Sequence, residues 1–442
     1  MKLLIFLVLT NILVYIVSKY LSLERIVINI DYLICLILLF FNLKKTSAIF
    51  FIFTFLADLL LLSRQIFPFF RIEDIFYIIQ FIFISSLIYK FLLLSVFIYI
   101  LIACLLIYKE KQKRTLDVYV AFLFSLLFFF QTIYNNIFDG HKNLFSSQMT
   151  TFIELQNEGF SQNLRMKQGL MQNLPYSTAS KKLYTALSHD SYINHNVLFV
   201  VNESLGMPKD PAVLNQILLP IYNDKMVIHD LSINKTHYTG PTVYGELREL
   251  CHAQPNNFNL KSLQLGFETC LPQLFKKIGY ETTAVHGALG MMYDRKYWYP
   301  RAGFQKMIFF ESLQWKHRCY SFPGACDWEI GKLINDIFMK SEKPQFVYWL
   351  TLNSHSVYDE RDIYFNVFDC KKFSIEENTE SCRNLKLQAQ FFYVLSKMIK
   401  SNGIKNTEVV VVGDHSPIIF NAAEKKKYFD EDNILILNFK VH

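Results

Sequence analysis

The chain has 442 residues, is 52% hydrophobic and 16% aromatic, and carries a formal net charge of +7 from 45 Lys+Arg and 38 Asp+Glu. That is too apolar for an ordinary soluble enzyme, and too weakly basic for nucleic acid, which is held by neutralising many phosphates. It suits an envelope protein facing anionic lipid, with a membrane part and a soluble part long enough for a full core.

The apolar excess sits before about residue 135. Runs at 3–20, 26–42, 47–63, 71–108 and 115–134 are each near or above the ~20 residues that span a bilayer. The first lacks a small-residue cleavage site and more apolar runs follow, so it reads as an anchor. The run 71–108 is too long for one helix and is broken by Lys90. It reads as an interfacial or re-entrant segment followed by a span from about 91. Placing the basic loops Lys44-Lys45 and Lys109–Arg114 in the cytoplasm puts the N-terminus inside and everything after about 134 outside. The expected organisation is a membrane domain of about five spans over 1–134, connector helices on the membrane surface over 135–192, and an extracytoplasmic domain over 193–442.

From 193 the pattern becomes short apolar runs separated by amphipathic ones. Strands are expected at Asn196–Val201, Met226–His229, Thr282–Val285, Met307–Phe310, Phe346–Leu352, Glu408–Val412 and Ile434–Leu437. Helices are expected at about 261–278, 328–341 and 384–402. The alternation indicates an α/β domain with a mainly parallel central sheet. Four strands run into polar residues: Asn202-Glu203-Ser204, His286-Gly287, Asn353-Ser354-His355 and Gly413-Asp414-His415. Open α/β sheets bind ligands beyond the carboxyl ends of their strands, so these residues are expected on one rim. Between the first two strand ends, Gly240-Pro241 precedes Thr242 at the start of a helix-compatible run. A helix N-terminus favours an anion there, and a Thr hydroxyl needs a base or a metal to become a nucleophile. Taken alone, each residue has a structural reading: Thr242 as an N-cap, Glu203 as a helix-start carboxylate, His286 and His355 as satisfied turn residues.

Eight cysteines are present. Cys35 and Cys104 fall in apolar runs and read as packing residues. Cys251, Cys270, Cys319, Cys326, Cys370 and Cys382 all lie in the soluble part, an even set that suggests disulfides and an oxidising compartment. Closeness favours Cys251–Cys270, Cys319–Cys326 and Cys370–Cys382. No Cys-x-x-Cys spacing supports the competing zinc reading.

Asn-Glu-Ser after a strand, Gly-Pro-Thr-x-x-x-Glu-Leu, His-Gly followed by Tyr293-Asp294-Arg295, Asn-Ser-His and Val-Val-Gly-Asp-His-Ser together resemble the alkaline-phosphatase/sulfatase superfamily over about 193–420. Within it the likeness is to membrane-bound lipoteichoic acid synthases and phosphoethanolamine transferases. The resemblance implies one divalent metal, Mn²⁺ or Zn²⁺ with Mg²⁺ possible, on Glu203, the nucleophile Thr242, Asp414 and His415. It implies that His286, Arg295 and His355 contact the phosphate or the leaving group. The Cys-x-Pro-x-Arg motif of true sulfatases is absent. Gly-Pro-Thr followed by Glu246 is closer to the phosphoglycerol branch, and the cysteines are closer to the phosphoethanolamine branch. The expected function is transfer of phosphoethanolamine or phosphoglycerol from a phospholipid to an envelope glycan or lipid-linked glycan, through a phospho-threonine. The expected location is the inner membrane, multi-pass, with a periplasmic catalytic domain. A phosphodiester hydrolase of the same superfamily and a non-catalytic envelope scaffold are the alternatives.

Overall fold

A computed structural model describes residues 2–20, 25–66, 82, 87–110, 122–126, 129–130, 132–133, 145–154, 172–173, 178–188, 195–224, 227–255, 259–401 and 403–442. The chain divides into two compact units, Met1–Arg165 and Met166–His442.

The first unit is helical: α1 (Lys2–Tyr20), α2 (Asp31–Phe40), α3 (Lys44–Ile66) and α4 (Leu87–Lys109). Leu7, Tyr32, Leu36, Phe51, Phe55 and Ala103 pack together inside it. Among the described residues two stretches, Lys44–Ser63 and Lys90–Lys109, are long and apolar enough to cross a membrane. The apolar stretches Leu3–Lys19 and Asp31–Phe40 are shorter helices. Of the five expected spans, two are thus helices of sufficient length among the described residues. Positions 71–81, 83–86 and 111–114, most of 115–134, and 135–144, 155–171, 174–177 and 189–192 of the expected connector lie outside the described residues. Within this unit Arg25 and Asp58 form a buried pair, Nη2 to Oδ2 at 2.5 Å.

The second unit is built on one mixed sheet. Its strands are β1 (Asn196–Asn202), β2 (Gly206–Pro208), β3 (Ile228–His237), β4 (Glu281–His286), β5 (Lys306–Ile308), β6 (Gln345–Leu350), β7 (Thr407–Gly413) and β8 (Phe429–Val441). The parallel part runs in the order β7-β1-β6-β4-β5, and β8 lies antiparallel to β7, β2 and β3. Strands covered on both faces read as continuous apolar runs, as Val197–Val201 and Val409–Val412 do. Side chains alternate across the sheet. Leu198, Val200, Val347, Trp349, Val409 and Val411 meet α6 (Pro211–Tyr222), α10 (Asp327–Lys340) and α11 (Glu380–Lys400) on one face. Phe199, Val201, Phe346, Tyr348 and Val412 meet α7 (Thr242–Cys251), α8 (Leu271–Lys277) and α9 (Arg295–Ala302) on the other. α5 (Lys181–Ser188) adds Leu183 to that second layer, and α12 (Ala422–Tyr428) precedes β8.

Local chemistry sets several boundaries. Asp210 caps α6 by accepting from the Ala212 N–H at 2.8 Å, with Pro211 in the first turn. The helix expected at 261–278 begins at Leu271, because Gly266 has φ +99° and Pro272 suits a first turn. The strand expected at Met226–His229 runs from Ile228 to His237, and that expected at Ile434–Leu437 is the middle of the longer β8. Cys251–Cys270 and Cys370–Cys382 are disulfides. The expected bridge Cys319–Cys326 is absent, and both are free buried thiols. Cys319 ends the first strand of a small hairpin, Arg318–Cys319 against Gly324–Ala325, where it pairs with Gly324, and Cys326 follows the second strand. Cys326 caps α10 with its Sγ 3.6 Å from the Tyr364 hydroxyl.

Candidate metal centre and its rim

The parallel strands bring four strand ends to one level. Gly413 is in register with Asn202, and Leu350 with both Val201 and His286. The residues just beyond them therefore share one rim, although they come from widely separated parts of the chain.

Glu203, Asp414 and His415 are buried there, each offering one ligand atom within 4.8 Å of the others. The Asp414 Oδ1 accepts from the backbone N–H groups of Ser204 and His415, each at 2.7 Å. Its Oδ2 has no hydrogen-bond partner and lies 3.3 Å from His415 Nε2. His415 Nδ1 is 2.9 Å from the Ser416 carbonyl, which can only accept, so Nδ1 carries the proton and Nε2 faces the carboxylates. Nε2 is 3.5 Å from Glu203 Oε1. A buried orphan oxygen and an imidazole lone pair aimed between two carboxylates are a donor set for a cation. Burial, then Glu203, pushes Asp414 up to about 7. Burial opposes the charged form of His415, but Asp414 and Glu203 outweigh it and raise its pKa.

Thr242 opens α7 behind the non-helical cap Pro241, and its hydroxyl donates to Glu203 Oε2 at 3.3 Å. Two features press this helix onto the Asp-His loop. A Cβ on Gly245 would stand 2.8 Å from the Asp414 Cα. Arg248 donates to the carbonyls of Gly413 at 2.8 Å and Asp414 at 3.1 Å, while Glu249 holds its Nε at 2.6 Å.

His286 and Arg295 form a second cluster. His286 Nδ1 donates to the Leu350 carbonyl at 3.0 Å, leaving Nε2 to accept from Arg295 Nη1 at 3.2 Å. Burial and the Arg295 charge hold its pKa well below the ordinary value. Arg295 is in turn bound by Glu246, Nε at 2.9 Å and Nη2 at 2.8 Å. The other Glu246 oxygen accepts the hydroxyls of Tyr299 and, at 3.2 Å, Tyr348. Arg295 is thus tied within the protein, and Glu246 is the residue that orients it. His355 is half-buried, its ring tilted against Phe322 with centroids 4.7 Å apart, and Nδ1 donates to the Ser356 carbonyl at 2.5 Å. Burial lowers its pKa, and it senses the charges of His415, Asp414 and Arg295.

The loop carrying His355 is held by Asp327, which accepts from the Leu352 N–H at 3.0 Å and the Asn353 N–H at 2.7 Å. The Asn353 side chain accepts from the Asp327 N–H at 2.6 Å. Burial raises Asp327 to about 7. Glu246, Arg248 and Asp327 are site residues that sequence reasoning did not assign. The spacing of Glu246, one helical turn after Thr242, was the signal available for the first.

The sequence profile of the family described as Sulfatase matches residues 195–434. No curated protein matches the chain. Among solved structures, an alkaline phosphatase superfamily protein from Vibrio parahaemolyticus is 20% identical with a TM-score of 0.42, over 56% of this chain and 60% of its own. The lipoteichoic acid synthase LtaP from Listeria monocytogenes is 16% identical with a TM-score of 0.42, over 63% of this chain and 71% of its own. The Streptococcus pyogenes phosphoglycerol transferase GacH, in complex with sn-glycerol-1-phosphate, is 18% identical with a TM-score of 0.41, over 62% and 78%.

Proposed function

The chain belongs to the sulfatase family, and on that premise we propose a membrane-anchored, metal-dependent transferase moving phosphoethanolamine or phosphoglycerol from a phospholipid to a cell-envelope glycan or lipid-linked glycan. The observation that carries the reading is the Thr242 hydroxyl beside a buried Glu203–Asp414–His415 donor set. Those three residues and Thr242 would hold Mn²⁺ or Zn²⁺, and Mg²⁺ also suits the oxygen donors. When bound, the ion lowers the pKa of a hydroxyl and offsets charge on phosphoryl oxygens.

The protein's own residues divide the work. Thr242 sits at a helix N-terminus, where N–H groups and the dipole favour a phosphate. Its Oγ forms a bond to phosphorus as the bond to the diacylglycerol oxygen breaks, and Glu203 Oε2 is placed to accept the Thr proton. Diacylglycerol leaves as its oxygen takes a proton from solvent. The glycan hydroxyl then forms its bond to phosphorus as the Thr242 Oγ–phosphorus bond breaks, its proton passes to His355 Nε2, and Glu203 returns a proton to Thr242. Glu246 fixes Arg295, and Arg295 fixes His286, so that this side of the pocket is oriented before substrate arrives. The two long apolar helices would place this chemistry beside a lipid donor, with the catalytic unit in the periplasm.

Intact-protein mass spectrometry after incubation with a phospholipid donor tests the proposal. A phospho-alcohol adduct on Thr242 is expected, and Thr242→Ala is expected to lose both adduct and transfer. Transfer surviving in Thr242→Ala would end it.

A further inference from the structure

The loops that carry His355 and His415 end in an apolar lip with a basic border. Tyr358 and Ile419 are buried and pack together with Leu387, joining the two loops. Their neighbours are exposed: Val357 is 50% exposed, Ile418 48% and Phe420 65%. Glu380 fixes this arrangement by accepting from the Phe420 N–H at 2.7 Å, and Arg383 donates to the Tyr358 carbonyl at 2.8 Å. Immediately after Phe420, Asn421 caps α12, whose last turn is Lys425-Lys426-Lys427. Lys426 and Lys427 are exposed, and none of the three lysines makes an ion pair among the described residues. The nearby Glu424 is engaged by the Ser381 N–H at 2.7 Å. Lys209 adds a further ammonium, its Nζ 2.6 Å from the Lys426 carbonyl.

A large exposed aromatic and two exposed aliphatics beside three lysines that make no ion pair among the described residues match the two layers of an anionic bilayer surface. Apolar side chains enter the acyl boundary while ammonium groups meet phosphate. We propose that Val357, Ile418 and Phe420, with Lys425–Lys427, form a surface that docks on the anionic phospholipid bilayer and sets the metal centre at headgroup level. The proposal rests on the lipid-donor reading above and adds the residues that present the site to the lipid.

Hydrogen exchange of the full chain in nanodiscs tests it, comparing phosphatidylcholine alone with an equal mixture of phosphatidylcholine and phosphatidylglycerol. Residues 416–428 and 354–362 are expected to exchange roughly five-fold more slowly in the mixture, with β1 and β7 unchanged. Ile418→Ser with Phe420→Ser, and separately Lys425→Gln, Lys426→Gln and Lys427→Gln together, are expected to lose that slowing. Equal exchange in the two lipids, or slowing that survives in both variants, overturns the surface. Transfer is assayed on the same discs. A protected wild-type chain that moves no phospho-alcohol supports the surface and counts against the transferase, whereas an active chain without protection overturns the surface alone.

Discussion

Gly245 of α7 packs directly against Asp414, so closely that a Cβ there would stand 2.8 Å from its Cα and 2.9 Å from its Cβ. The helix that Thr242 opens and the Asp-His loop can approach this far only because that position lacks a side chain. Gly245→Ala forces them apart, with an overpacking cost of about 1–3 kcal/mol. A lower melting temperature and weaker Mn²⁺ binding by titration calorimetry are expected. A variant binding Mn²⁺ like the wild type would show that the spacing is not critical.

Glu246 and Arg295 are both buried, and removing one partner leaves an unmatched charge. Glu246→Gln should cost about 3–5 kcal/mol in a denaturant titration and should depress transfer. The double variant Glu246→Gln, Arg295→Gln should cost less than the sum of the singles, because the pair acts as a unit. Additive losses would mean that the two do not depend on each other.

The Glu203–Asp414–His415 cluster makes stability depend on pH in a defined direction. Asp414 is raised from 3.8 to about 7 in the metal-free fold. Between those values the native state binds more protons than the unfolded chain, so this group stabilises the metal-free protein at acid pH. That contribution is lost as pH rises towards about 7. Metal binding needs the deprotonated ligands, so the melting shift produced by added Mn²⁺ should grow from pH 5 to pH 8. A shift independent of pH would contradict this.

Cys251–Cys270 ties the end of α7 to the start of α8, closing a separation of 19 residues. Cys251→Ser should cost about 2–5 kcal/mol, read as a lower melting temperature without reductant. Cys319 and Cys326 are free and buried, so iodoacetamide should modify them after unfolding and not before. Their resistance to iodoacetamide in the unfolded, unreduced chain would mean that they are bridged.

The rim was legible in the sequence because a parallel strand is an uninterrupted apolar run, and the residue that ends the run marks the sheet's carboxyl edge. Glu203, His286, His355 and Asp414 were found that way. Glu246 and Arg248 were not assigned, because a charged residue inside a helix looks like a solvated one until the tertiary fold buries it. β3 was cut short because its side chains are mostly exposed and polar, and β8 because Asp430–Asn433 breaks its apolar run. The Cys319–Cys326 expectation failed because nearness in sequence does not set the geometry of two thiols across a hairpin.

One cation shared by Glu203, Thr242, Asp414 and His415 underlies the proposed transfer. Metal content per chain, measured by inductively coupled plasma mass spectrometry after Mn²⁺ or Zn²⁺ loading and desalting, tests this most directly. The account predicts one ion per wild-type chain and none in a folded Asp414→Asn, His415→Ala variant. A wild-type chain that retains no ion, or a variant that keeps it, would contradict the account.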